Sequence, residues 1–113
     1  EGNIIIIQCD GDILFVKRNL NQVWGGLWSL PELDNHINLN EWLLSLLDSR
    51  EYQLINSGRS HANFSHYKYL INYQHILFKK LNVKLPENFI WINQSKIHRA
   101  GLPAPIKKLL STL

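Results

Sequence analysis

The chain has 113 residues, 45% of them hydrophobic, and a formal net charge of +3. That length is one domain with enough apolar material to bury a core unaided, and the mild positive charge permits an anionic partner without demanding one. The single cysteine, Cys9, excludes an internal disulfide framework and a four-cysteine metal or iron–sulfur centre within these residues, and fits a reducing, cytoplasmic setting.

Ile4-Ile5-Ile6-Ile7, followed by Gln8-Cys9, predicts a buried strand. The run is too short to span a bilayer and has no basic flank, so no membrane segment is expected. Asp10-Gly11-Asp12 is a hairpin turn signal, and Ile13 to Arg18 is the return strand. Asn19 to Val23 reads as a polar loop. Trp24-Gly25-Gly26-Leu27-Trp28-Ser29-Leu30-Pro31-Glu32 follows. Its glycine pair implies close backbone packing, and its proline marks a strand edge or end. One tryptophan ring is expected in the core and the other over the sheet edge.

A helix is predicted to open within Asn38-Leu39-Asn40-Glu41, capped by Asn40 or alternatively Asn38, with Trp42, Leu43, Leu46 and Leu47 at helical spacing. Tyr52 to Asn56 reads as a strand and Ser57-Gly58-Arg59-Ser60 as a turn. Tyr67 to Phe78 is a long strand, apolar on both faces and therefore central in a sheet. Asn82 to Asn88 is a loop, Phe89 to Ile92 a short strand, and Ser95 to Ala100 a helical turn. After the break at Gly101-Leu102-Pro103-Ala104-Pro105, Ile106 to Leu113 is a terminal helix with a proline near its first turn. This order predicts an α/β fold: a mixed sheet begun by a hairpin and covered by helices on both faces. The absence of methionine, even at position 1, makes residues 1–113 an expected single domain cut from a longer protein.

The residues with most chemistry per position are Phe64-Ser65-His66, placed just before the long strand. One ring can wedge or stack, one hydroxyl can donate and accept, and one imidazole can meet a phosphate or a base edge. Lys17, Arg18, Lys107 and Lys108 are candidate phosphate contacts, though the default reading is a strand end for the first two and a solvated helix face for the last two. The five histidines have no metal-ligand spacing, and His75, within the long strand, reads as a satisfied sheet residue.

The hairpin, glycine-containing stretch and following helix resemble a Nudix fold, an α/β/α sandwich. The hydrolases of that superfamily carry an acidic helix of the form Arg-Glu-x-x-Glu-Glu, whose carboxylates hold magnesium at a pyrophosphate. The corresponding region here, Asp34 to Asp48, offers Asp34, Glu41 and Asp48 but no adjacent pair, and its helix reads Trp42-Leu43-Leu44-Ser45-Leu46-Leu47. No metal and no pyrophosphohydrolase chemistry are therefore expected. Within this fold, three segments together resemble the C-terminal domain of the MutY family of A/G-specific adenine DNA glycosylases. They are the tryptophan–glycine stretch 24–32, Phe64-Ser65-His66, and Gly101 to Leu110, with Lys17-Arg18 also fitting.

That resemblance implies a part in DNA base-excision repair. The family removes adenine mispaired with 8-oxoguanine; its N-terminal domain flips and excises the adenine, and its Nudix-like C-terminal domain reads the oxidised guanine. Oxidation turns guanine N7 from an acceptor into an N–H donor and adds a carbonyl at C8. The Ser65 hydroxyl would accept from the first or donate to the second, a discrimination of roughly tenfold for one net hydrogen bond. Phe64 would position the loop, and His66 would meet backbone or phosphate. One departure is Ala62, where the family often has a histidine, with His61 one position earlier. The implied partners are duplex DNA containing 8-oxoguanine opposite adenine and the N-terminal catalytic domain of the same protein. The family's iron–sulfur cluster belongs to that other domain, so no cofactor and no catalytic residue are expected here. The alternatives are an 8-oxo-dGTP pyrophosphohydrolase and a non-catalytic protein-binding module.

Overall fold

The computed structural model describes residues 2–17, 28–49, 51–64, 67–99, 102 and 104–111. Strand β1 (Gly2–Cys9) turns directly into β2 (Asp12–Lys17). Asp10 and Gly11 both have positive φ, 52° and 87°, the two-residue geometry whose twist matches a hairpin. The two strands pair only through Gln8–Ile13 and Cys9–Asp12, then part. Short strands β3 (Trp28–Ser29) and β4 (Glu32–Leu33) fill the wedge, β3 pairing with β2 and β4 with β1. Between them, Pro31 lends its carbonyl to the Ile5 N–H at 2.9 Å, so the proline removes no ladder donor.

Helix α1 (Leu39–Leu47) starts where Asn38 Oδ1 accepts from the Glu41 N–H at 3.0 Å. It stops at Asp48, whose left-handed backbone returns its N–H to the Leu44 carbonyl. Strands β5 (Tyr52–Phe64) and β6 (Tyr67–Phe78) form a long antiparallel hairpin. β7 (Phe89–Asn93) pairs with β2, a 3-10 turn covers Gln94–Arg99, and α2 (Ala104–Ser111) follows. Among the described residues, seven strands make one mixed sheet with the path β3-β2-β1-β6-β5. Its parallel pair is β1 with β6.

The isoleucine run explains the layering. Strand side chains alternate faces, so a strand buried on both sides must be apolar at every position. Ile4 and Ile6 join Ile13, Phe15 and Ile71 beneath Ile106 and Leu109 of α2. Ile5 and Ile7 join Leu14, Ile76 and Phe78 beneath Leu43 and Leu47 of α1. Each fully buried isoleucine contributes about 1.5–3 kcal/mol of transfer free energy, enough to hold both helices against a central strand. The result is the expected α/β/α sandwich.

Several boundaries differ from the sequence reading. Ser57 to Ser60 is no turn: β5 runs straight through it, Gly58 opposite Tyr73 and Arg59 opposite Asn72. The Tyr73 ring occupies the space over Gly58, where a Cβ would sit 2.9–3.2 Å from it, so the missing side chain is replaced from the neighbouring strand. The irregularity falls earlier, as a bulge at Ile55, between Leu54 and Asn56. The terminal helix begins at Ala104, with Pro105 in its first turn. The helical turn after β7 is 3-10 and starts at Gln94, one residue before the expected one. The predicted loop from Asn19 to Val23 lies outside the described residues, as do Trp24 to Leu27. No helix among the described residues is long and apolar enough to cross a membrane.

Candidate functional site

The tripeptide joins β5 to β6. Phe64 is the last residue of β5 and pairs with Tyr67, the first of β6. Ser65 and His66 lie outside the described residues, as does the Phe64 side chain. β6 meets β1 first at Ile71, opposite Gly2. The hairpin segment from Tyr67 to Leu70, paired with His61 to Phe64, therefore reaches past the start of β1 by about 13 Å at a strand rise of ~3.3 Å per residue.

β2 runs antiparallel to β1, so its last residue, Lys17, stands at that same end of the sheet. Lys17 is exposed and pairs across to Trp28, whose ring packs against the α2-side core. Trp28 is half-buried; Trp24 and Arg18 lie outside the described residues.

Lys107 and Lys108 are both exposed on α2, but Lys107 belongs elsewhere. It lines a cavity of about 470 Å³ with Leu110 and Ser111, over Gln8 and Ile13 beside the β1–β2 turn. That is the end of the sheet away from Lys17. His75 of β6 and Gln94 and Ile97 of the 3-10 turn line it as well. His75 is buried, and its Nε2–H donates to Gln8 Oε1 at 2.8 Å. Burial pushes its pKa below the ordinary 6.5 because an imidazolium there loses its hydration. Sequence reasoning missed this cavity. The one available signal was parity: Gln8 follows Ile4 and Ile6 on the side of β1 that faces α2.

The α1 region does not make a magnesium cage. Asp34 precedes the helix, Glu41 sits in its first turn and Asp48 is its C-cap, all exposed. Leu43 and Leu47 fill the buried stripe, with Trp42 and Leu46 packed beside it. No group of three or more His, Cys, Asp or Glu comes together to hold a metal among the described residues. A hard cation needs several oxygen ligands, and this arrangement does not fit one.

A double-layered core around a mixed sheet, an early hairpin and a helix after a Trp-Gly stretch define the class. The chain belongs to the NUDIX domain family, whose model matches residues 3–112. Among curated proteins, it is similar to the adenine DNA glycosylase of Buchnera aphidicola subsp. Schizaphis graminum (strain Sg), 24% identical over 94% of this chain. The chain spans 31% of that relative's length. Among solved structures, the C-terminal domain of mouse MUTYH, in complex with human PCNA, superposes with a TM-score of 0.66 at 16% identity. That match covers 97% of this chain and 83% of that one. RenU, a Nudix hydrolase from M. smegmatis, superposes at 0.67 with 12% identity, covering 99% and 86%. A mutT/nudix family protein from Listeria innocua does so at 0.70 with 14%, covering 98% and 90%. At these identities the structures establish the fold. The resemblance to the MutY C-terminal domain is borne out, within a fold that Nudix hydrolases share.

Proposed function

We propose that this chain is the lesion-reading domain of an adenine DNA glycosylase, recognising 8-oxoguanine opposite adenine in duplex DNA. The observation that carries the reading is the similarity, across 94% of the chain, to an adenine DNA glycosylase three times its length. A part of 31% leaves room in the relative for a separate excising domain, the proposed partner of this one. The place of the tripeptide in the chain supports it: Phe64 ends β5 opposite Tyr67 at the start of β6, so Ser65 and His66 form a strand-to-strand connection, the kind of segment on which binding residues concentrate. Lys17 at the same end supplies a cation for a neighbouring phosphate, where it positions without specifying sequence. In this reading Ser65 pairs with the new N–H or the new carbonyl of the oxidised guanine, and adenine removal belongs to the other domain. The cytoplasmic setting expected from the sequence is part of the same proposal.

The test is Ser65→Ala in the full-length protein. Excision from 8-oxoguanine·A should fall relative to G·A, lowering the preference by about tenfold, the scale of one net hydrogen bond to a partner that undamaged guanine lacks. Unchanged preference would move lesion reading to other residues. A hydrolase reading draws on the shared fold with RenU. It requires magnesium-dependent release of pyrophosphate from 8-oxo-dGTP that is lost on Glu41→Gln.

A further inference from the structure

We propose that the cavity beneath α2 is a binding site for a small organic anion with an apolar body, separate from the lesion-reading end. Among the described residues its lining holds several donors and no carboxylate. Lys107 brings an ammonium group, and Gln94 a side-chain amide. Gln8 uses its Oε1 on the His75 N–H, so what it can offer a ligand in the cavity it lines is its NH2, a donor. Ser111 donates its hydroxyl hydrogen to the Lys108 carbonyl at 2.7 Å, so its Oγ presents only lone pairs to the rim. His75, donating through Nε2, keeps Nδ1 as an acceptor and adds no charge to compete with Lys107.

The walls decide the rest of the ligand. Ile13, Ile97 and Leu110 line the same space, so a bare inorganic ion would leave them facing water. At about 470 Å³ the cavity lies within the range of small-molecule pockets, which are mostly apolar with a few convergent polar groups. A carboxylate or a phosphate monoester carried on an aromatic or aliphatic body satisfies both halves. The site lies by the β1–β2 turn, with Lys17 and the β5–β6 connection at the other end of the sheet. A ligand here leaves the proposed DNA-facing end open.

The probe is anilinonaphthalene sulfonate, an anion on an apolar ring system, titrated into the 113-residue chain by fluorescence and by NMR. Saturable one-to-one binding is expected, with shifts centred on the Gln8 and Gln94 side-chain amides and the Ser111 amide. Lys107→Gln should weaken it about tenfold, as loss of a charge-assisted contact does, while Lys107→Arg retains it. Leu110→Trp, which fills the space, should abolish it with the rest of the spectrum unchanged. Displacement by octanoate or by phenyl phosphate then tells which headgroup the site prefers. Absence of saturable binding, shifts centred elsewhere, or wild-type affinity in Lys107→Gln would overturn the proposal.

Discussion

At the scale of single residues, the polar groups of this domain divide between two ends of one sheet. Lys17 stands with the β5–β6 connection, while Gln8, His75 and Lys107 gather by the β1–β2 turn. His75 is the residue whose environment has the clearest thermodynamic consequence. Its pKa is lowered in the folded state by burial, so below the ordinary value of 6.5 the unfolded chain binds the proton more readily than the folded one. Stability is therefore full above that value and falls as pH drops through 6.5 toward the lowered folded pKa. Urea unfolding across that window should show the decline, and His75→Gln, which retains a donor for Gln8, should flatten this residue's share of it. An unaltered slope in the variant would mean that His75 titrates alike in both states.

At the scale of elements, legibility followed locality. The β1–β2 hairpin was readable because Asp-Gly satisfies its positive-φ turn within the turn itself. The start of α1 was readable to within two residues, because a capping asparagine lies beside it and the leucines keep helical spacing; the cap is Asn38, not Asn40, and the stop at Asp48 carried no such local signal. β5 was misread for the opposite reason. Ser57-Gly58-Arg59-Ser60 has turn composition, but the compensation for its glycine, the Tyr73 ring, comes from another strand. Cross-strand filling of this kind leaves no mark in the local sequence. Gly58→Ala tests this packing directly. The new methyl meets the Tyr73 ring at 2.9–3.2 Å, so the ring, packed against the α2-side core, must shift to admit it. A loss of about 1–3 kcal/mol is expected, the usual cost of overpacking, read as a lower urea midpoint with an unchanged m-value. A neutral or stabilising effect would mean that the strand glycine is only an entropic cost that alanine relieves.

At the scale of the whole molecule, the isoleucine run gave the architecture away. Apolar side chains at every position of β1 require a layer on each face, and α1 and α2 are those layers. The same logic explains why a hydrolase-type acidic helix is not needed for the fold: α1 docks through Leu43 and Leu47, and its exposed face is free to vary. The place of the tripeptide at the entry to the long strand β6 was legible, because Tyr67 to Phe78 is apolar enough to be read directly; the 470 Å³ cavity was not. Its lining comes from five elements spread between Gln8 and Ser111, and only the closed fold assembles it.

The central claim, that this domain reads the lesion through Phe64, Ser65 and His66, is tested most directly by NMR. The isotope-labelled chain is titrated at low salt, where phosphate contacts are strongest, with duplexes carrying 8-oxoguanine·A or G·A. The account predicts shifts at Phe64, Ser65 and His66 that are selective for the lesion duplex, with Lys17 responding to both duplexes. Equal shifts with the two duplexes, or none at these residues, would contradict it.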